Sequence, residues 1–162
     1  MSKLTTIRNA EGHEAAKLSS LAIRSKAYWG YTREFMEACR EELTVTSDEI
    51  NSANFQYVVA EYGTKIVGFY AIEHLANSEY ELEALFVEPD YIGAGIGRAL
   101  MNHAKKTAKE MGGRTMLIQG DPNAENFYRA SGAALVGERE SASIPGRSLP
   151  VFKIELVSGN VV

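Results

Sequence analysis

Apolar residues recur at helical spacing over the first third of the chain, alternate or run together through the middle, and return to helical spacing after residue 95. A short strand is expected over residues 4–8. Asn9 then caps a helix in which Ala15, Leu18, Leu21 and Ala22 share one side, with Glu11 and Glu14 set against the positive end of its dipole. That helix ends around residues 26–30, where Tyr28, Trp29 and Tyr31 surround Gly30. Thr32 opens a second helix with Phe35, Met36, Cys39 and Leu43 inward, and Ser47 caps one further turn through residues 48–52. Residues 55–61 and 66–73 are rich in aromatic and β-branched types around a Tyr62-Gly63-Thr64-Lys65 turn, which predicts a hairpin. Residues 80–87 form the next strand, and its end, Ala84-Leu85-Phe86-Val87, is apolar on both faces, as for a strand covered on two sides. Ile96, Leu100, Ala104 and Ala108 then fall at steps of four, and Gly112-Gly113 closes that helix. A strand over 115–119, a helix opened by Asp121-Pro122 and stopped by Ser131-Gly132, and strands over 133–139 and 151–157 complete the order β-α-α-β-β-β-α-β-α-β-β. The strand, helix, strand sequence across 80–119 implies a right-handed parallel crossover. The whole is an α/β domain with a mixed central sheet flanked by helices (α+β by some schemes), a single domain over residues 1–162.

The chemistry concentrates where the strand over 80–87 meets the helix that starts near Gly95. Gly93, Gly95 and Gly97 alternate across that connection. Without Cβ atoms the backbone can present its N–H groups closely to a ligand, and the first N–H groups of a helix have no partner inside it. Together they suit the oxygens of a diphosphate. No Lys-Ser or Lys-Thr follows, so a Walker loop does not fit, and the spacing does not give G-x-G-x-x-G.

Composition narrows the setting. With 162 residues, 45% hydrophobic and 23% charged, the chain suits one globular core. A net charge of −4 argues against a general nucleic-acid-binding surface and is compatible with a cationic substrate. Cys39 is the sole cysteine, so an internal disulfide and an all-Cys metal site are excluded; on its apolar stripe it reads as a core residue. No signal peptide and no membrane-spanning run is visible, and a cytoplasmic location, with neither membrane nor nucleic acid as partner and no metal, is expected.

Two stretches carry a family resemblance. Leu82 through Arg98 resembles the acetyl-CoA motif of the GNAT acetyltransferase superfamily, and Asp121-Pro122-Asn123-Ala124-Glu125-Asn126-Phe127-Tyr128 with Gly132-Ala133 resembles its second motif, roughly N-x-x-A-x-x-F-Y-x-x-x-G-F. The motifs cover about residues 82–112 and 115–133, and the element order extends the likeness over 4–157. Residues 25–31 and 144–150 further resemble a bacterial branch of uncharacterised GNAT proteins. The resemblance implies an N-acetyltransferase that moves acetyl from acetyl-CoA to a primary amine of a small molecule or peptide by direct attack in a ternary complex. It also leaves room for a non-catalytic acetyl-CoA sensor that kept the cleft and lost turnover. Dimers are common in the family, so a homodimer is among the expected partners.

Roles follow from that resemblance residue by residue. Leu85, Phe86 and Val87 would bond the pantetheine arm through their backbone, and Gly93, Ala94, Gly95, Ile96, Gly97 and Arg98 would bind the diphosphate. Asn126 on the second-motif helix is a further cofactor contact. Tyr128 would stand at the thioester sulfur and protonate the leaving thiolate, although the residue alone also reads as a buried aromatic beside Phe127. Tyr28, Trp29 and Tyr31 would line the acceptor wall of helices over about 10–52, or simply pack between them. Two positions depart from the family: Ile92 stands where Gln or Arg usually opens the loop, and Asp121 replaces the usual Asn, so Asp121 reads as a helix cap rather than a cofactor ligand.

The general base follows from strand parity. Glu81 and Glu83 fall on one face ahead of Leu85 and Val87, which places Glu83 next to the acetyl site, where burial would raise its pKa. A solvated strand end is the alternative reading. His74, at the end of the preceding strand, is the other candidate on the acceptor side, and Arg147 in the Pro-Gly turn is either a carboxylate contact or exposed. His13 and His103 read as surface residues.

Overall fold

The computed structural model describes residues 5–156. Seven strands form one sheet in the order β1-β2-β3-β4-β5-β7-β6, where β1 is Thr5–Asn9, β2 Phe55–Tyr62, β3 Lys65–His74, β4 Glu79–Val87, β5 Thr115–Gln119, β6 Ala134–Glu140 and β7 Ser148–Glu155. Helices α1 (Ala15–Ala27), α2 (Arg33–Leu43) and α3 (Ser47–Ile50) precede β2; α4 (Ile96–Glu110) joins β4 to β5, and α5 (Glu125–Ala130) joins β5 to β6. Every pairing is antiparallel except β4 with β5, the parallel pair that the crossover required. The element order therefore matches the reading from periodicity; the outer ends of the first and last strands, Leu4 and Val157, lie outside the described residues.

Two apolar layers cover the sheet. One holds Tyr70, Ile72, Tyr80 and Leu82 against Ile96, Leu100, Met101, Ala104 and Ala108 of α4, with Tyr128 and Phe152. The other sets Tyr57, Val59, Phe69 and Ala71 against Leu18, Leu21 and Ala22 of α1 and Cys39 and Leu43 of α2. Cys39 is buried, as its place on the α2 stripe predicted, and burial raises its thiol pKa. Gly68 sets how closely α4 lies on the sheet: a Cβ there would come within 2.9 Å of Leu100 Cδ1 and 3.1 Å of the Phe86 carbonyl.

Three local expectations need correction. Asn9 does not cap α1. It stays in β1 opposite Val58, and its side chain accepts from Gln56; the chain enters the helix through a 3-10 turn, Gly12–Glu14, in which the Glu14 carboxylate accepts the Glu11 N–H at 2.8 Å. Glu14 is buried at 4% exposure because Arg8 pairs with it at 2.7 Å. Thr46, not Ser47, caps α3: its hydroxyl accepts from the Glu49 N–H, and Glu49 returns the bond to the Thr46 N–H at 3.0 Å. His103 is not a free surface residue, since its Nδ1 lies 2.8 Å from the hydroxyl of the fully buried Tyr70.

Candidate functional site

The parallel pair that joins the two halves of the sheet is short. β4 pairs with β5 only from Glu79–Thr115 to Leu82–Ile118. Beyond Ile118 β5 stays with β7, Gln119 pairing Val151 and the Gly120 N–H bonding the Pro150 carbonyl at 3.0 Å. The far half of β4, residues 84–87, keeps its β3 partner and has no strand on its other edge. The sheet is thus open along β4 at residues 85–87, where the backbone groups of Leu85 and Val87 face the gap and can bond an extended ligand as an added strand would. Phe86, in step with the Glu88 N–H that bonds Val67, turns its backbone to β3 and is not such a contact.

The glycine loop closes the end of this opening. After β4 the buried Glu88 is held in place by Arg24 of α1 through two contacts at 2.8 and 2.7 Å, and its N–H bonds the Val67 carbonyl. A 3-10 turn, Pro89–Tyr91, follows. Gly93 and Gly95 have φ of +90° and +85°, backbone that L side chains rarely adopt, and Gly95 stands as the N-cap of α4 with no side chain to fill that role. The first intrahelical bond is donated by Ala99 to Gly95, so the N–H groups of Ile96, Gly97 and Arg98, with those of Gly93 and Gly95, have no acceptor among the described residues. Ala94 differs: its N–H is spent on the Tyr91 carbonyl at 3.2 Å. Ile96 points its side chain into the core, and the Arg98 side chain is exposed. These five donors, at and just before the positive end of a four-turn helix, can bind an anion with main chain alone. The exposed Ile92 side chain contributes no polar group there.

Tyr128 stands on the β5 side of the opening. Its ring lies over Gly120, where a Cβ would meet it at 2.7 Å, and between Phe127 and Phe152 at centroid distances of 5.4 and 5.7 Å. Its hydroxyl has no hydrogen-bond partner among the described residues, yet it is not sealed off. Burial, with the Asp121 charge, pushes its pKa up to about 12, so it stays protonated across the physiological range. Gly97 lets the start of α4 approach the same cluster, since a Cβ there would lie 3.3 Å from the Phe127 ring. Asn126 is exposed on α5 and makes no side-chain bond among the described residues.

Glu83 lies at the fork, but not as strand parity predicted. Ala71 pairs with Ala84 and Ile72 with Leu82, so Glu83 is an extra residue, a β-bulge. The bulge resets the alternation. Leu82, Leu85 and Val87 belong to the α4 layer and Ala84 and Phe86 to the α1–α2 layer, so Glu83 does not share a face with Leu85 and Val87. A count of two cannot register an inserted residue. The carboxyl pKa rises to about 7, first through desolvation and then through repulsion from Glu81, Glu73, Glu42 and Glu49. The residue is nonetheless exposed over much of its surface, so solvent screens part of that repulsion. Arg139 lies 3.6 Å from Glu81 and offsets part of this charge.

The residues expected to line an acceptor wall differ in their surroundings. Tyr28 and Trp29, in edge contact at 5.6 Å, are 54% and 46% exposed and do not pack between helices. Tyr31 is half-buried, stacks on Phe35 at 4.1 Å and donates to the Asp121 carboxylate at 2.7 Å. Asp121 does cap the turn after β5, accepting the Asn123 N–H at 2.8 Å, as expected, but it also pairs with Lys26 at 3.1 Å. That partnership, between residues 95 apart in sequence, had no local signal. Arg147 is neither exposed nor free, since it donates to the Tyr31 hydroxyl at 2.9 Å. His74 is misplaced as an acceptor-side residue: it pairs with Tyr80 at the closed end of β4, lies tilted against that ring at 4.9 Å, and bonds the Asn77 carbonyl at 2.9 Å. It ended its strand in sequence, but an antiparallel partner carries that end away from the fork.

Known proteins share this arrangement. The crystal structure of PaiA N-acetyltransferase from Thermoplasma acidophilum in complex with coenzyme A superposes with a TM-score of 0.75 over 94% of this chain and 99% of that one, at 18% identity. An aminoglycoside 6'-N-acetyltransferase complexed with coenzyme A gives 0.72, covering 94% and 98% at 19% identity. In sequence, the peptidyl-lysine N-acetyltransferase YjaB of Escherichia coli K12 is 27% identical over 155 residues, 94% of this chain and 97% of that protein. The N-alpha-acetyltransferase RimI of Mycobacterium tuberculosis is 35% identical over 96 residues, 56% of this chain and 60% of that protein. The model of the acetyltransferase (GNAT) family matches residues 21–133, from within α1 to the end of the second motif. With the forked β4–β5 pair, the glycine-capped α4 and that match together, the chain belongs to the GNAT acetyltransferase family, whose general activity is acetyl-CoA-dependent acetyl transfer.

Proposed function

We propose that the protein transfers acetyl from acetyl-CoA to a primary amine, with the ε-amine of a peptide lysine as the acceptor to test first. The observation that carries this is the pairing of β4's open edge at residues 84–87 with the unpaired N–H groups of residues 93 and 95–98 at its end. These are the donor types, in order along the chain, that a pantetheine arm followed by a diphosphate needs. The lysine acceptor rests on the likeness to peptidyl-lysine N-acetyltransferases and on the carboxylates around Glu83, which favour a cationic approach.

In this reading the acceptor enters as an ammonium ion, and Glu83 removes its proton directly or through one water. A carboxylate with a pKa of about 7 is half ionised near neutrality, where a base is most effective. The neutral amine attacks the thioester carbonyl carbon. The N–H of Val87, which faces the open edge, donates to the oxygen that gains charge. As the C–S bond breaks, the Tyr128 hydroxyl, still protonated at working pH, gives its proton to the departing thiolate and regains one from the nitrogen, which must lose its extra proton to become the amide.

The test is thiol release from acetyl-CoA by purified protein with a panel of lysine peptides, N-terminal peptides and small polyamines. Amine-dependent release with a rising limb near pH 7 is expected. Tight acetyl-CoA binding with no amine-dependent release would leave a sensor, and no binding at all would remove the reading.

A further inference from the structure

Asp121, in the turn between β5 and α5, gathers contacts from three other segments. It accepts from Lys26 at the end of α1 at 3.1 Å, and from the Tyr31 hydroxyl, in the α1–α2 connection, at 2.9 and 2.7 Å. Asn123 donates to it through its N–H at 2.8 Å and its side-chain amide at 2.9 Å, and bonds the Tyr31 hydroxyl at 2.9 Å. Arg147, from the β6–β7 connection, approaches the same carboxylate to 3.9 Å and lies over the Phe35 ring at 4.8 Å. The side chains of Lys26 and Asp121 are each 15% exposed and that of Arg147 19%. A second latch joins the same connection to α2, where Ser143 donates to Glu42 at 2.7 Å. Burial alone would raise the Asp121 pKa; the Asn123 N–H, the Tyr31 hydroxyl and Lys26 outweigh it, and the carboxyl stays below its ordinary range.

Capping a three-residue turn needs only the Asn123 N–H. The remaining bonds tie the turn that launches the Tyr128 helix to the two connections that wall the acceptor side. We propose that Asp121 is a positioning residue, whose carboxylate clamps the α1–α2 and β6–β7 connections onto this turn so that the acceptor meets a wall already set in place. This rests on the acetyltransferase reading, which makes that side the amine's. A preorganised wall spares the ordering that a mobile one would require on binding. Charge is essential to the clamp: an asparagine could keep the cap and one bond to Tyr31, but it would leave Lys26 and Arg147 facing each other without a counter-charge in a half-dry site.

Asp121→Asn is therefore expected to raise the KM of a lysine-containing peptide about tenfold, while kcat and the Kd for acetyl-CoA change less than about twofold. It should also lower the steady-state anisotropy of Trp29, the chain's sole tryptophan, two residues from Tyr31. Tyr31→Phe, which leaves the β5–α5 turn intact, should reproduce both changes in part, and the double variant should exceed Asp121→Asn by nothing in peptide KM. Unchanged peptide KM with unchanged anisotropy in Asp121→Asn overturns the proposal. So does an equal rise in peptide KM and acetyl-CoA Kd, which signals general loss of structure. If Asp121→Asn does not fold, Tyr31→Phe decides by the same two readouts. A wild-type protein inactive on every amine would defeat the transferase reading instead, and the Trp29 signal would still decide the clamp.

Discussion

The two sides of the fork are made of different materials. The side proposed for the cofactor is main chain: the open edge of β4 and the free N–H groups of Gly93 and of residues 95–98, with glycines serving by what they lack. The side proposed for the acceptor is side chain: exposed Tyr28 and Trp29, the bulged Glu83 among four other carboxylates, and Asp121 holding Lys26 and Tyr31. A backbone site tolerates almost any residue whose φ and ψ it allows, whereas a side-chain site changes with each substitution. One side can therefore keep a common donor molecule while the other varies its acceptor.

Substitutions ranked by expected effect probe that division. Gly95→Val forces a β-branched residue to φ of +85° and should weaken acetyl-CoA binding about 100-fold or more by calorimetry, with the far-ultraviolet spectrum retained. Since a Cβ there meets nothing within 4 Å, the loss would come from backbone conformation and not from a clash. Tyr128→Phe should lower kcat about 100-fold with acetyl-CoA Kd nearly unchanged. A wild-type rate would return Tyr128 to the core residues it packs among.

Glu83→Gln should lower kcat/KM about tenfold or more at pH 8 and remove the rising limb near pH 7. Its effect on stability has the opposite sign. Folding raises this carboxyl pKa from 4.5 to about 7, so the wild type loses stability as pH rises through that window, and the glutamine variant should melt higher than wild type at pH 8 but not at pH 4. A variant that is slow and also less stable at pH 8 would place Glu83 in a structural network. The smallest effect lies away from the site. Glu14 is held down to about 2, first by its bonds to Arg8, so the stability it contributes is complete above pH 4.5 and is lost as pH falls toward 2. Glu14→Gln should cost about 2 kcal/mol in urea unfolding at pH 7 and leave acetyl-CoA binding intact.

What could be read from the sequence follows the same division. Gly93 and Gly95 announce a positive-φ loop because no other residue adopts it cheaply, and the step-of-four run from Ile96 to Ala108 announces the helix it starts. These are local signals. Element order, the parallel pair and the buried Cys39 were legible for the same reason. The Glu83 bulge was not, since nothing within β4 marks which residue its partner strand skips. Nor was the Asp121–Tyr31 bond, between residues 90 apart, or the bond that ties His103 to Tyr70. His74 shows the complementary error: its position at a strand end is local, but which end of the sheet that becomes depends on pairing.

The β4–β5 ladder has one more consequence. Among the described residues, four rungs, Glu79 to Leu82 against Thr115 to Ile118, with the Arg114 N–H on the Ser78 carbonyl just before them, make the strand ladder between a four-stranded plate and a three-stranded one. A pull that spreads the two plates therefore loads this short ladder at one end and, at the other, the side-chain bonds from Asp121 to Lys26 and Tyr31 and from Ser143 to Glu42, before it reaches the longer ladders inside either plate.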